Sequence, residues 1–297
     1  MMGWAIAIHG GAGSILESLT VSHREAVEEA LPKLIEVGAA MLRDGAAAID
    51  VVEQSVVALE ECELFQAGRG AVLSAAGVHE LEASIMDGAS GRAGAVCGIR
   101  TVRNPIRLAR QVFERTSHVF VGGQGAEDLA KAWGLDRVPN EWFTTERRLE
   151  QLRRFLAADG GDGPHPATVG AVACDQYGHV AAATSTGGTT GKLPGRIGDA
   201  PMISAGTWAD DRVAISCTGI GERFILASTA RAVAARVELL GESIESAAAL
   251  VLEAMPPDSG GLIAVNREGD LTLPFTSQGM YRGWASEHGD CGIGIGS

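Results

Sequence analysis

Cysteine is sparse in this chain of 297 residues, and its spacing argues against a disulfide framework. The five cysteines are an odd number and include no Cys-x-x-Cys pair. They stand at Cys62, Cys97, Cys174, Cys217 and Cys291. Disulfide frameworks belong to secreted chains with even sets of cysteines. The stretch from Met1 to His9 lacks the basic and apolar regions of a signal peptide. We therefore expect reduced, buried thiols and a cytoplasmic location.

Other features that the sequence lacks argue against several classes of partner and cofactor. The formal net charge is −13 and no run of basic residues occurs, which argues against a nucleic-acid partner. No apolar window approaches the length of a membrane span, so no membrane partner is expected. No histidine pair has zinc spacing, and the glycines at 122–126 and 187–192 match neither a dinucleotide fingerprint nor a phosphate loop. We expect catalysis without a cofactor.

Aromatic residues are also few, at 5%, whereas hydrophobic residues make up 46% of the chain and glycine occurs 40 times. Such a composition makes disorder unlikely and predicts a tightly packed globule built on small side chains. A chain of this length can bury a sizeable core as one large domain or as two ordinary ones.

The first half of the chain alternates strand and helix patterns. Trp4 to Ile8 reads as a buried strand that ends at a glycine turn, His9 to Gly13. Asn104 and Pro105 read as an N-cap and a first helical residue. Helices are predicted over 23–43, 46–61, 105–115, 126–133 and 145–157, strands over 80–86, 93–102 and 118–121, and a loop over 59–70.

A glycine- and proline-rich segment, Asp159 to Pro166, separates this half from the next. Beyond it, strands are predicted over 168–175, 179–186, 201–207, 213–217, 261–266 and 270–275, and helices over 221–240 and 243–254. This pattern predicts one α/β domain, residues 1–297, with two sheets stacked face to face between helix layers. A two-domain split at the segment is the alternative. The runs 169–173 and 180–183 argue against it, because they are apolar on both faces and need cover from more than one layer.

Thr168 heads a buried strand directly after that segment. A threonine hydroxyl needs an adjacent base to act as a nucleophile, and no Ser-His-Asp set or Gly-x-Ser-x-Gly motif is recognisable. The base can be the residue's own α-amine, with a pKa of about 7.7–8.0, once the bond between Ala167 and Thr168 is cut. From the residues alone, an ordinary strand-initiating threonine is the simpler interpretation.

Five motifs in this chain resemble those of the plant-type L-asparaginase/isoaspartyl peptidase family, which belongs to the N-terminal nucleophile (Ntn) hydrolases. The motifs are 9–13 (His-Gly-Gly-Ala-Gly), 168–173 (Thr-Val-Gly-Ala-Val-Ala), 183–188 (Ala-Thr-Ser-Thr-Gly-Gly), 192–199 (Lys-Leu-Pro-Gly-Arg-Ile-Gly-Asp) and 216–219 (Ser-Cys-Thr-Gly). The resemblance implies a four-layer αββα sandwich. It also implies autocleavage into an alpha subunit, 1–167, and a beta subunit, 168–297, and hydrolysis of L-asparagine and β-aspartyl dipeptides.

The resemblance also implies a role for each residue of the site. Thr168 attacks the β-carbonyl, and Thr186 on the next strand tunes it. Thr218 and the N–H of Gly219 stabilise the oxyanion. The substrate clamp binds the α-carboxylate and α-amine, and it consists of Arg196, Asp199 and the carbonyl of Gly221. Without the motifs, Thr186 would read as an ordinary strand residue, and Arg196 and Asp199 as an ion pair with each other.

A structural sodium ion and a homodimer of cleaved protomers are implied in the same way. The loop 59–69 resembles the family's sodium-binding loop, in which main-chain oxygens coordinate the ion. The corresponding carbonyls are those of Leu59, Glu60, Cys62, Phe65, Ala67 and Arg69.

Three positions depart from the family pattern. Ala167 stands where glycine is usual before the threonine, Gln66 replaces an asparagine, and the turn 257–261 is less rich in glycine. Two alternatives remain open, of which Ala167 and Gln66 support only the second. One is an aspartylglucosaminidase-like amidase, and the other is an uncleaved, inactive relative that binds a small amino acid.

We predict slow or partial autocleavage. A Cβ at Ala167 costs on the order of 1 kcal/mol if the scissile residue must adopt a positive φ. A denaturing gel of the purified protein should therefore retain the full-length band. Complete conversion into two bands of similar size during expression would contradict this prediction.

Overall fold

The computed structural model describes residues 3–16, 19–158 and 168–296. The mixed α/β class predicted from the sequence is confirmed. The strands are β1 Ala5–Gly13, β2 Leu81–Asp87, β3 Arg92–Ile99, β4 Phe120–Gly122, β5 Val169–Cys174, β6 Val180–Thr186, β7 Thr207–Ala209, β8 Val213–Gly219, β9 Gly260–Asn266, β10 Leu271–Thr272, β11 Gly279–Ser286 and β12 Cys291–Gly296. The helices are α1 Val21–Arg43, α2 Ala48–Glu61, α3 Pro105–Arg115, α4 Gly123–Ala132, α5 Glu146–Ala157, α6 Gly221–Ala227, α7 Thr229–Leu240 and α8 Ile244–Glu253, and a 3₁₀ turn spans Asn140–Phe143.

Two sheets organise these strands. The larger has the order β12-β11-β1-β5-β6-β2-β3-β4, and the smaller has the order β10-β9-β8-β7. In the larger sheet β1 pairs with β5 and β2 pairs with β6, all antiparallel. Strands from before and after the segment 159–167 therefore share one hydrogen-bonded sheet.

Three apolar clusters fill the spaces around the sheets. The first joins the larger sheet to α1, α2 and α3, and the third joins the smaller sheet to α7 and α8. The second draws small residues from both sheets, among them Ala7, Ala182 and Ala214. Because side chains alternate across a strand, each sheet covers one cluster on either face.

Several boundaries differ from the sequence prediction. The predicted helix 221–240 is two helices, because Ser228 adopts a left-handed conformation (φ 49°) between them. The predicted strand 201–207 is a turn in which Ser204 has φ 89°, and β7 begins only at Thr207. The predicted strand 270–275 shortens to β10. Strands β11 and β12 were not predicted.

The start of the chain and the start of α3 also differ from prediction. β1 does not end at Ile8 but continues through the glycines to Gly13, because β11 pairs with it along that length. Asn104 makes no side-chain cap and donates instead to Glu61 Oε1 (2.9 Å). The N–H of Ile106, near the start of α3, is bound by the buried Glu60 carboxyl at 3.1 Å. Across the described residues, no helix combines the length and apolarity that crossing a bilayer requires.

Candidate active site

Thr168 lies immediately before β5 and is almost completely buried. Its carbonyl oxygen accepts a hydrogen bond from Nδ1 of His9 at 2.9 Å and lies 3.4 Å from the hydroxyl of Thr218. The predicted scissile partner, Ala167, is outside the described residues. The structure therefore locates the predicted nucleophile but describes only one side of the predicted cleavage site.

Thr186 is the last residue of β6, and strand register places it beside Thr168. Val169 pairs with Ser185, so the next residues on the two antiparallel strands are neighbours. The Thr186 hydroxyl oxygen accepts the N–H of Gly188 at 2.9 Å, which orients it. On its other side, Thr186 pairs with Glu82 of β2.

Thr218 and Gly219 end β8 and approach the same point from the smaller sheet. The Thr218 hydroxyl accepts the N–H of Ala12 at 3.2 Å, so β1, β5 and β8 meet at this residue. Gly219 has φ 151°, and a Cβ there would lie 2.1 Å from the carbonyl oxygen of Ser259. Only glycine fits this close approach of two backbones.

Arg196 lies on a segment between β6 and β7, and its ion-pair partner is not Asp199. Its Nε and Nη2 each lie 2.9 Å from a carboxylate oxygen of Glu222, in a bidentate pair. The alternative of a pair between Arg196 and Asp199 is therefore not what the structure shows. Because Glu222 takes the Nε–Nη2 edge, a further carboxylate would have to bind the donors of Nη1. Sequence reasoning missed Glu222, although it directly follows the candidate residue Gly221.

Asp199 is buried, and among the described residues its Oδ2 has no hydrogen-bond partner. Burial raises the pKa of this carboxyl to about 7, against the opposing effect of the Arg196 guanidinium. A Cβ on Gly221 would lie 2.9 Å from both Arg196 Nη2 and Asp199 Oδ1. Arg196, Asp199 and Gly221 thus form one cluster that contains a buried carboxyl with one unpaired oxygen.

The nucleophile and this cluster are close in space. Thr218 contacts Thr168, and Gly221 lies beside Arg196 and Asp199, yet only two residues separate Thr218 from Gly221. The Cα atoms of Thr218 and Gly221 are thus at most about 10 Å apart. The structure therefore brings the predicted catalytic and binding residues into one region.

A chain of buried polar side chains runs from Thr168 between the two sheets. His9 Nε2 lies 2.9 Å from Ser216 Oγ, which lies 2.7 Å from Thr184 Oγ1. Thr207 then lies 2.6 Å from Thr184, and Ser84 lies 2.8 Å from Thr207 and donates to the carbonyl of Ala200 at 2.6 Å.

The protonation state of His9 fixes which groups donate and which accept in this series of hydrogen bonds. Burial lowers the pKa of His9 to about 3, so the imidazole is neutral. Because the Thr168 carbonyl can only accept, Nδ1 carries the proton and Nε2 accepts the Ser216 hydroxyl. His9 belongs to a quoted motif, but its contact with Thr168 spans 159 residues and no local pattern indicates it.

The predicted sodium loop is held by hydrogen bonds to several of its named carbonyls. Glu60 O accepts the N–H of Arg69 at 2.7 Å, and Phe65 O accepts Nη2 of the buried Arg148 at 3.0 Å. Leu59 O and Cys62 O accept main-chain N–H groups within the loop. A carbonyl has two lone pairs, so each of these oxygens can still face an ion. Main-chain oxygens are the ligand type that a hard cation takes, so the chemistry of these residues suits the predicted ion.

Gln66, one of the departures from the family pattern, lies close to Thr186 through its main chain. The Gln66 carbonyl accepts the N–H of Gly187 at 2.8 Å, directly after Thr186. Within the ranges that the structure describes, no group of three or more His, Cys, Asp or Glu side chains could hold a metal ion.

Comparison with known proteins agrees with this arrangement. A family model described as asparaginase matches residues 2–295. The chain belongs to the asparaginase family. It is 48% identical over 295 residues to an isoaspartyl peptidase of Salmonella typhimurium, covering 94% of each chain.

Eukaryotic relatives match over a similar share of the chain, at lower identity. A probable isoaspartyl peptidase/L-asparaginase 2 of Arabidopsis thaliana is 40% identical over 324 residues, covering 99% of each chain. An isoaspartyl peptidase/L-asparaginase of Homo sapiens is 41% identical over 289 residues, covering 95% of this chain and 92% of the relative. The family resemblance drawn from five motifs is thereby confirmed.

We predict that Asp199 makes ligand binding depend on pH. Its pKa is about 7, so the ionised fraction, and with it the attraction for an ammonium group, falls as the pH drops below 7. The Kd of an α-amino acid such as L-aspartate should rise by about tenfold per pH unit between pH 7 and pH 5. Calorimetric titrations across that range measure it. An Asp199→Asn variant should bind weakly with no such slope, and an equal slope in both proteins would contradict the assignment.

Proposed function

We propose that this protein is an amidohydrolase that cleaves the β-amide of L-asparagine and the isopeptide bond of β-aspartyl dipeptides. One observation carries the proposal: the Thr218 hydroxyl contacts Thr168, and Gly221, at most about 10 Å along the chain from Thr218, lies beside both the Arg196 guanidinium and the buried Asp199 carboxyl. The guanidinium suits an α-carboxylate and the carboxyl suits an α-amine. The names of the relatives support this substrate class.

The proposed reaction begins with maturation. The Thr168 hydroxyl attacks the carbonyl of Ala167, the acyl group moves from nitrogen to oxygen, and water then hydrolyses the ester. This releases subunits 1–167 and 168–297 and frees the Thr168 α-amine, which becomes the base.

In turnover, the free amine takes the proton of the Thr168 hydroxyl as the oxygen attacks the β-carbonyl. Thr218 and the N–H of Gly219 donate to the oxyanion, and Thr186 donates to the nucleophile. The amine then protonates the leaving ammonia or amine. Water hydrolyses the resulting β-aspartyl ester on Thr168 by the same route.

The architecture proposed with this function is the αββα sandwich of Ntn hydrolases, supported by apolar clusters between the sheets and on the outer face of each sheet. We further propose a homodimer of cleaved protomers. The cytoplasmic location stays a proposal, supported by five cysteines that form no disulfide. The prediction that the thiols are buried is correct for Cys174 and Cys217 but wrong for Cys291, which is exposed, and for Cys62 and Cys97, which are half-buried.

Mass spectrometry and an ammonia-release assay with L-asparagine and β-aspartyl-leucine test the function. The wild type should yield the two subunits and release ammonia or leucine. Thr168→Ala should stay intact and lose activity by about 10³-fold or more, because it lacks the nucleophile. Thr168→Ser is the matched control, since it keeps a hydroxyl and should both cleave and turn over.

Two outcomes contradict the proposal. An intact wild-type chain without turnover would favour an inactive amino-acid-binding relative. A Thr168→Ala chain that still cuts itself would remove Thr168 as the nucleophile.

We also propose that the carbonyls of loop 59–69 hold a structural sodium ion. Binding to the folded state alone raises stability, so the Tm should be several degrees higher in sodium chloride than in choline chloride of equal ionic strength. Thermal unfolding followed by circular dichroism measures it. Equal Tm values in the two salts would remove the ion from this loop.

A further inference from the structure

The segment from Lys192 to Asp199, here called the clamp segment, carries two of the candidate binding residues but belongs to no helix or strand. Its shape therefore depends on contacts made from elsewhere. Two carboxylates of the β2 region supply them. Glu80 Oε2 accepts the N–H of Gly195 at 2.8 Å, and Glu82 Oε2 accepts the N–H of Gly198 at 2.9 Å.

Glu82 is bound to the clamp segment a second time through a buried ion pair. Lys192 Nζ lies 3.1 Å from Glu82 Oε1, and the two side chains are 0% and 1% exposed. The same ammonium donates to the carbonyl of Glu80 at 2.9 Å. Removing one partner of such a pair leaves an uncompensated buried charge, so each group holds the other in place.

The contact with Gly198 falls between the two binding residues. Gly198 directly precedes Asp199 and lies two residues after Arg196. A Cβ on Gly198 would lie 2.8 Å from Arg196 Nη1 and 3.5 Å from Glu82 Oε2. The carboxylate of Glu82 therefore fixes the peptide that sets the distance between the guanidinium and the buried carboxyl.

Glu82 also connects the clamp segment to the catalytic strands. It pairs with Thr186, and Thr186 lies beside Thr168. The main chain of Glu82 in β2 thus pairs with β6, which lies beside Thr168. The side chain of Glu82 binds the clamp segment.

We propose that Glu82 is a positioning residue for substrate, which fixes the Arg196–Asp199 spacing through Gly198 and Lys192. The proposal rests on the function proposed above. It assigns Glu82 no contact with the reacting atoms. It predicts that loss of the carboxylate weakens recognition of the α-amino acid group and leaves self-cleavage unchanged, because the clamp segment takes no part in cutting the chain.

The variant Glu82→Gln tests this with two readouts. The Kd of L-aspartate, measured by calorimetry, should rise about tenfold or more, since a charge-assisted hydrogen bond is lost. For L-asparagine, KM should rise by a similar factor while kcat stays within about threefold. The fraction of cleaved chain should equal that of the wild type.

Succinamate, which lacks the α-amine of asparagine, gives a sharper comparison. The ratio of kcat/KM for L-asparagine to kcat/KM for succinamate should fall in Glu82→Gln. The reason is that a displaced Asp199 no longer binds the α-amine of asparagine. Glu82→Asp keeps the charge with a shorter reach and should give an intermediate KM. It also keeps the test informative if Glu82→Gln folds poorly.

Glu127→Gln is the matched control. Glu127 is a buried carboxylate that also accepts main-chain N–H groups, from Arg100 and Thr101 (2.5 and 2.8 Å), but it lies outside the clamp segment. Glu127→Gln should lower the Tm by about as much as Glu82→Gln does. It should change neither the KM for L-asparagine nor the affinity for L-aspartate.

The outcomes separate this proposal from the proposed function. Failure of the wild type to cleave or hydrolyse overturns the function, while L-aspartate affinity still tests the positioning role. Equal Kd values for the wild type and both Glu82 variants, or no binding by the wild type, overturn the positioning role. So does a Glu127→Gln variant that loses affinity as much as Glu82→Gln.

Discussion

The close approach of the two sheets is the constraint on which the site depends. Alanines from both sheets, among them Ala7, Ala182 and Ala214, line part of the space between them, and this lets β5 and β8 come near enough for side chains of one sheet to reach the backbone of the other. At Gly170, a Cβ would lie 2.1 Å from Ser216 Oγ and 2.4 Å from His9 Nε2. A larger residue there would separate the sheets and remove Thr218 from Thr168.

Polar groups placed between packed sheets must be satisfied, because water cannot reach them. The series from His9 to Ser84 meets this requirement with side chains alone, and it ties the carbonyl of Thr168 to that of Ala200. Asp199, which directly precedes Ala200, is among the described residues that keep a buried side-chain atom without a hydrogen-bond partner. A site that keeps one charge-bearing group unsatisfied has a place for a ligand cation.

The sequence was informative where chemistry is local. Short ordered motifs pointed to Thr168, Thr186, Thr218 and the proposed binding residues, and apolar periodicity located most helices within a few residues. It was uninformative where contacts are distant. Glu222 and Glu82 act on Arg196 and Gly198 across 26 and 116 positions, and an isolated glutamate has no pattern to indicate such a role. The break at Ser228 and the turn at Ser204 require left-handed serines, a conformation that residue preference does not predict.

The strand order of the larger sheet has a consequence for folding. Strands β1 to β4 come before residue 159, and β5, β6, β11 and β12 come after residue 168. In the sheet β1 lies between β11 and β5, and the pair β5 and β6 lies between β1 and β2. Neither half can complete this sheet alone, so folding must precede any cut between them. Once cut, the molecule would refold only by a bimolecular encounter of two chains. Its persistence would then depend on how slowly it unfolds rather than on how readily it reforms.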